Sequence, residues 1–216
     1  QSPYGGLGAP FTGTSGDRFT IVFDFENYRW IAEPKDIGWD SKRRNVQYYC
    51  AGVCNATALE TGQISANVLY AIPIYVLKNT TFDRIAIKVT VGASGNVGLG
   101  IYNDLDCYPN ERVWYEIGIS VSSAGVKART INVPFYVDVH GPLLWLVIVS
   151  NTTPTIVSLP VNAAFPILGF DSTLTTAGVG WSVPFTYAVL PATFPAGASP
   201  ITASPIPAIF LRSSSW

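Results

Sequence analysis

Apolar and polar residues alternate along much of the chain with a period of two. The segment 84–91 reads Arg-Ile-Ala-Ile-Lys-Val-Thr-Val, and the segment 19–25 places phenylalanine or isoleucine at every second position. Such alternation is typical of β-strands with one buried face. Further strands are predicted at 68–76, 97–102, 113–121, 126–133, 144–150, 155–159, 167–170, 183–189 and 207–211.

The turn-forming residues between these runs favour an all-β fold. No window carries a sustained apolar stripe at helical spacing, and most of the 19 glycines and 16 prolines fall between the strand-like runs as turn residues. About ten short strands separated by turns predict an antiparallel β-sandwich, jelly-roll-like in its topology.

The chain divides into two predicted parts. Residues 1–44 form an N-terminal arm and attachment segment with one or two strands, and residues 45–216 form the jelly-roll-like sandwich domain. The arm begins with a Gly-, Pro-, Ser- and Thr-rich stretch in which Tyr4 and Phe11 would favour a groove on a neighbouring subunit. A second irregular stretch, 190–207, contains five prolines and is expected to lie as an extended strap over the sandwich surface.

Composition excludes several classes of function. The chain is 48% hydrophobic and 12% charged, against a usual charged share of about 25%, and its net charge is -1. It therefore lacks the basic surface that nucleic-acid binding requires. Its longest apolar run, 142–149, is far shorter than the ~20 residues of a membrane span. We expect neither a nucleic-acid partner nor membrane insertion.

Cysteine usage leaves three possibilities open. Cys50 and Cys54 bracket a three-residue loop and Cys107 stands alone, so at most one disulfide can form within the chain. It would join Cys50 to Cys54, or join either of them to Cys107; three free thiols are the third possibility. A zinc site is disfavoured, because His140 is the only histidine.

Two features point towards a processed protein at an external surface. The chain contains no methionine, which predicts release from a longer precursor. Three Asn-x-Thr sequons are candidate glycosylation sites, at Asn55, Asn79 and Asn151.

Catalytic motifs are scarce. A nucleophile–base pair usually needs a histidine, and His140 stands at a strand-to-turn junction where a structural role is the simpler interpretation. The sequence contains no nucleophile elbow, phosphate-binding loop or dinucleotide fingerprint. We therefore expect no enzymatic activity and no cofactor.

A polar loop between two predicted strands carries the remaining chemical candidates. Paired carboxylates at Asp104, Asp106 or Glu116 could hydrolyse glycosides, although Asp and Asn are also ordinary turn residues. A calcium-binding loop is a more specific alternative, although this loop lacks the regular ligand spacing and the central glycine of known calcium-binding loops. Its ligands would be the oxygen atoms of Asn103, Asp104 and Asp106.

Aromatic residues are abundant, with six Trp, 11 Tyr and 11 Phe. Most are expected in the core, but those in loop-like or charged surroundings suit sugar stacking or a protein interface. The candidate contact residues for a ligand or receptor are Trp30, Trp39, Tyr48, Tyr49, Tyr108 and Trp114.

A series of short segments in one order carries a family resemblance. They are 69–76 (Leu-Tyr-Ala-Ile-Pro-Ile-Tyr-Val), 81–87, 98–103, 125–127, 144–151, 166–169 and 184–187. Over residues 45–212 the chain resembles a β-rich domain of tail-fibre-like and other virion surface proteins of tailed phages. The family usually has a short glycine-rich turn where this chain has the charged loop 104–112 with Cys107, and residues 1–44 lie outside the match.

The resemblance implies a jelly-roll-like virion component without catalytic residues. We expect a non-enzymatic structural protein at the particle surface: a fibre, spike, turret or capsid-decoration subunit. It would form a homo-oligomer, a trimer by preference, contact other virion proteins through its N-terminal arm, and contact a host surface glycan or protein.

Two alternatives come from other classes: a carbohydrate-binding module of a secreted enzyme, and an extracellular filament subunit whose arm completes a neighbour's sheet. A hydrolase acting through the carboxylates comes last.

Overall fold

The computed structural model describes residues 19–24, 29–34, 46–52, 59–76, 81–131 and 143–214, the first two ranges by their backbone alone. The chain splits into two compact units, Gln1–Ser41 and Lys42–Trp216. In the first unit, β1 (Phe19–Asp24) and β2 (Arg29–Pro34) form an antiparallel pair in which Phe23 lies opposite Trp30.

The second unit is built from thirteen further strands among its described residues. They are β3 (Tyr48–Cys50), β4 (Glu60–Gln63), β5 (Val68–Tyr75), β6 (Phe82–Val91), β7 (Asn96–Leu105), β8 (Tyr108–Ser120), β9 (Gly125–Thr130), β10 (Leu143–Ser150), β11 (Thr155–Leu159), β12 (Trp181–Pro184), β13 (Ser199–Pro200), β14 (Ile206–Pro207) and β15 (Phe210–Ser213). One turn of 3₁₀ helix, Val161–Ala163, follows β11. In the described part of the chain, no helix is long and apolar enough to cross a membrane.

Eight of these strands form a jelly roll. One sheet has the order β4-β11-β6-β9 and the other β5-β10-β7-β8, with every pair antiparallel. The pairs β4–β11, β5–β10, β6–β9 and β7–β8 are therefore nested, as if one long hairpin had been wrapped into a barrel-like sandwich. The predicted all-β sandwich with jelly-roll-like topology is confirmed.

The remaining strands extend both sheets. β12 and β13 continue the second sheet beyond β5, with Val183 opposite Leu69. In the first sheet, β14 pairs with β11 and β15 pairs with β6. The short strand β3 then adds to β15. These additions place β3 beside the end of β5, where a cleft opens between the sheets.

The main core lies between the two sheets and follows the predicted alternation. Ile85, Ile87 and Val89 of β6 are buried, as is Ala86, while Arg84 and Lys88 face solvent. They pack with residues of the opposite sheet that include Ile72, Leu99, Ile101 and Leu146.

A second apolar cluster lies on the outer face of the second sheet. Leu190 and Phe194 pack there against Trp145 and Tyr102, all four nearly or fully buried. The strap predicted from the prolines therefore lies where expected over residues 190–198. Because the strap covers this sheet, β10 is buried on both faces, and its continuous apolar sequence follows from that position.

The structure differs from three predicted strands, of which 207–211 is divided between β14 and β15. Residues 166–169 form a turn in which Gly169 N–H donates to the Pro166 carbonyl at 3.0 Å and Gly169 has a φ of +75°. The predicted strand 167–170 was therefore wrong, because glycine and proline supply turn geometry there. The predicted strand 183–189 ends at Pro184, where the chain leaves β5 and begins the strap.

Candidate functional site

The predicted calcium loop is the hairpin that joins β7 to β8. Asp106 and Cys107, its two central residues, have φ values of +53° and +60°. Positive φ at both central positions matches the tight turn whose twist suits a two-residue hairpin. Both residues are exposed at the tip.

Two of the three residues proposed as calcium ligands, Asn103 and Asp104, use side-chain oxygen atoms in hydrogen bonds within the protein. Asp104 Oδ1 accepts a 2.7 Å hydrogen bond from the indole Nε1 of Trp145, and Asn103 Oδ1 accepts one of 2.7 Å from Glu111 N–H. Across the described ranges, no group of three or more His, Cys, Asp or Glu side chains could hold a metal ion. Calcium binding stays a prediction from the sequence.

The carboxylate of Glu116, a third member of the hydrolase hypothesis, forms an ion pair with Arg129. Its Oε1 lies 2.6 Å from Arg129 Nε, and both side chains are about one-third exposed or more. The pair links the edge strands β8 and β9 of the two sheets, so it has a structural use. Exposed pairs of this kind contribute about 0–1 kcal/mol.

Tyr108, a predicted contact residue, anchors the strap. Its hydroxyl donates to the Pro195 carbonyl at 2.6 Å, and its ring contacts those of Phe194 and Trp181 at centroid distances of 5.7 and 5.1 Å. Trp114, another predicted contact residue, is half-buried and packs against the main core. The structure therefore uses both aromatic side chains for packing.

Tyr48 and Tyr49 line a cleft, which we call the aromatic cleft. It has a volume of about 620 Å³ and is bounded by residues from six separate parts of the second unit. Its lining residues are Tyr48, Tyr49, Cys50, Gly52, Leu59, Pro73, Ile74, Tyr75, Leu143, Phe165, Ile167 and Phe210.

Backbone hydrogen bonds around Gly52 hold the cleft walls together. Gly52 N–H donates to the Pro73 carbonyl at 2.6 Å, and Phe165 N–H donates to the Gly52 carbonyl at 2.7 Å. Gly52 has a φ of +71°, and a Cβ atom there would lie 2.7 Å from a methyl carbon of Ile72. Glycine is therefore required at the point where β3, β5 and the 165–167 turn meet.

Among the described residues that line the cleft, none is charged. The polar side-chain groups of these residues are the hydroxyls of Tyr48, Tyr49 and Tyr75 and the thiol of Cys50. Burial raises the pKa of the Cys50 thiol to about 12, because the apolar surroundings disfavour the thiolate. The cleft thus suits an uncharged occupant.

The aromatic cleft was only partly visible in the sequence. Tyr48 and Tyr49 were singled out there, whereas Tyr75, Phe165 and Phe210 read as ordinary strand or loop residues. Tyr75 ends a strand whose other residues are mostly buried, so its position in the pattern gave no signal of exposure.

Several predicted sites lie partly or wholly outside the residues that the structure describes. Cys50 is a free thiol that donates to the Ala51 carbonyl, and its bridge to Cys54 stays a prediction, because Cys54 lies outside the described residues. Asn151 lies in the exposed turn between β10 and β11 and accepts a 2.8 Å hydrogen bond from Asn96 N–H. Also outside the described residues are Trp39, Asn55, Asn79 and His140, together with the side chain of Trp30.

Two comparisons with known proteins find no match for this chain. No protein-family model matches the chain, and a search of curated proteins finds no match either. Neither comparison links it to the tail-fibre-like domains of tailed phages. Its function is therefore inferred from the jelly roll, the strap and the aromatic cleft, together with the resemblance noted in the sequence.

Proposed function

We propose that this chain is a non-enzymatic structural protein of a virion surface, a fibre, spike, turret or decoration subunit that self-associates and contacts a host surface glycan or protein. The aromatic cleft, placed at the edge of a jelly roll, carries the proposal. Tyr48, Leu59, Tyr75 and Phe165 around it are 41–59% exposed. Clustered apolar exposure marks interaction surfaces, whereas single exposed apolar residues are ordinary.

The jelly roll and the low surface charge are compatible with this role. Jelly rolls occur in viral capsid proteins and in lectins, so the fold alone does not decide between the virion subunit and a sugar-binding module. The virion proposal also rests on the sequence resemblance to tail-fibre-like domains, and the virion surface is its proposed location.

The alternative of a carbohydrate-binding module receives less support. It requires a row of exposed aromatic rings on one sheet face. On the outer face of β5-β10-β7-β8, Tyr102 and Trp145 are buried beneath Phe194 of the strap, and Tyr108 and Trp181 pack against the same cluster. These aromatic residues are thus used in packing.

Light scattering on the purified chain, combined with mass spectrometry of purified particles, tests the proposal. We expect a closed small oligomer, a trimer by preference, and the chain among the particle proteins. A strictly monomeric chain that is absent from particles would contradict the proposal. Growth of the mass without limit at rising concentration would favour the filament subunit instead.

A further inference from the structure

The aromatic cleft favours an extended, uncharged peptide. Its volume of about 620 Å³ lies within the ~300–1,000 Å³ of ligand sites. Its described lining residues carry no charged or amide side chain that could hold a sugar or pair with a charged group. Proline and aromatic side chains on an extended backbone fit aromatic-lined grooves of this kind.

The strap shows how this chain already covers an aromatic surface. There, the hydroxyls of Tyr102 and Tyr108 donate to the carbonyls of Pro191 and Pro195, both at 2.6 Å, and Phe194 fills the space between them. Tyrosine hydroxyls and apolar rings thus hold a proline-rich extended segment. The aromatic cleft is likewise lined by tyrosine and phenylalanine rings.

One segment of this chain has the matching chemistry. From Gln1 to Gly16 there is no charged residue, and the segment contains Pro3, Tyr4, Pro10 and Phe11. Residues 17–45, which include the β1–β2 pair, separate it in sequence from Val46, the first described residue of the second unit.

We propose that the aromatic cleft of one copy binds the segment Gln1–Gly16 of a second copy, with Tyr4 and Phe11 as its apolar anchors. The inference rests on the proposed self-association, for which it names the contact. Each copy then offers one segment and one cleft, and such a head-to-tail contact forms a closed ring when the rotation closes.

Photo-crosslinking in the full chain tests the contact directly. Benzoylphenylalanine is placed at position 165, and isotopically heavy and light chains are mixed, so that links between copies carry both labels. We expect links from position 165 to residues 1–16 of the other copy. The control is position 170, because Phe170 is 57% exposed in the same connection but does not line the cleft. Links from position 165 only to other segments, or none, would overturn the inference.

Sedimentation of variants measures how much the contact contributes to the free energy of association. We expect Phe165→Ser and Phe11→Ser each to weaken association roughly tenfold or more, as truncated interface anchors do. The double variant should be no weaker than the more harmful single one, because both remove the same contact. Phe170→Ser should leave association unchanged.

The outcomes separate this inference from the proposed function. If the chain assembles and neither variant weakens assembly, the cleft contact is wrong while the proposed function stands. If position 165 links to residues 1–16 but the chain is absent from particles, the virion role is wrong while the contact stands. A chain that stays monomeric at all concentrations overturns the contact and the self-association together.

Discussion

The indole Nε1 of Trp145 donates a 2.7 Å hydrogen bond to Oδ1 of Asp104. Trp145 is fully buried on β10, and Asp104 lies near the end of the adjacent strand β7. A carboxylate that looked like a metal ligand or a catalytic acid in the sequence therefore satisfies a buried N–H donor. Burying such a donor without an acceptor is costly, so this relationship gives Asp104 a structural role.

Removing this acceptor should destabilise the fold. We expect Asp104→Ala to lower the free energy of unfolding by about 1–3 kcal/mol, because the indole N–H loses its partner. Asp104→Asn keeps an oxygen at the same place and should recover most of that loss. Asp106→Asn, at the exposed hairpin tip, is the matched control and should change little. Urea unfolding followed by tryptophan fluorescence measures all three; equal effects of Asp104→Ala and Asp106→Asn would contradict the assignment.

The strap should contribute strongly to stability. Phe194 is 4% exposed and contacts the rings of Tyr102 and Tyr108, so Phe194→Ala is expected to cost about 3–5 kcal/mol. Phe170→Ala, at a half-exposed position, should stay within about 0.5 kcal/mol of the parent chain. Denaturant unfolding checks the difference, and similar midpoints for the two variants would show that the strap is held by other contacts.

The local alternation of apolar and polar residues predicted the strands. It did not predict which segments of the chain cover them. The alternation in β6 identified its buried face, since each such residue contacts the core through its own position in the pleat. The apolar run in β10 could not reveal that the strap buries its second face, because the strap is supplied by residues some forty positions later. Short strands such as β3 and β4 carry too few residues for a period to be recognised.

The candidate site was harder to predict for the same reason. Tyr108 stands in a polar loop in the sequence, yet its hydroxyl reaches Pro195 in the folded chain. The aromatic cleft combines Tyr48, Tyr75, Phe165 and Phe210, which are far apart along the chain. Only the jelly-roll crossover brings them together, and no local motif encodes that contact.

The ion pair between Asp83 and Arg212 should make stability depend on pH in the acid range. Hydrogen bonding to the Arg212 guanidinium lowers the pKa of Asp83 below its usual 3.8. The contribution is therefore fully present above the unfolded value near 3.8 and is lost as the pH falls through the folded value. Because both side chains are partly exposed, at 35% and 20%, we expect it to stay below about 1 kcal/mol.

Asp83→Asn tests this pH dependence. The difference in free energy of unfolding between the parent chain and the variant should be constant at neutral pH and shrink on acidification. Asp171, whose pKa is lowered by hydrogen bonds from Thr175 and Thr173, is present in both proteins and cancels in the difference. Arg212→Gln should remove the same acid-range dependence. Curves that run parallel over the whole pH series would show that the pair does not contribute.

The two described cysteines should differ sharply in reactivity. Only the thiolate attacks alkylating reagents, and burial raises the pKa of Cys50 to about 12, whereas Cys107 is exposed at the hairpin tip. At mildly alkaline pH, maleimide should label Cys107 in the native protein and reach Cys50 only after unfolding. Peptide mass spectrometry reads each site, and Cys107→Ser provides a chain in which native labelling at this site is removed. If Cys50 stays unlabelled in denaturant without reductant, it is not the free thiol described above. Rapid labelling of Cys50 in the native state would contradict its burial.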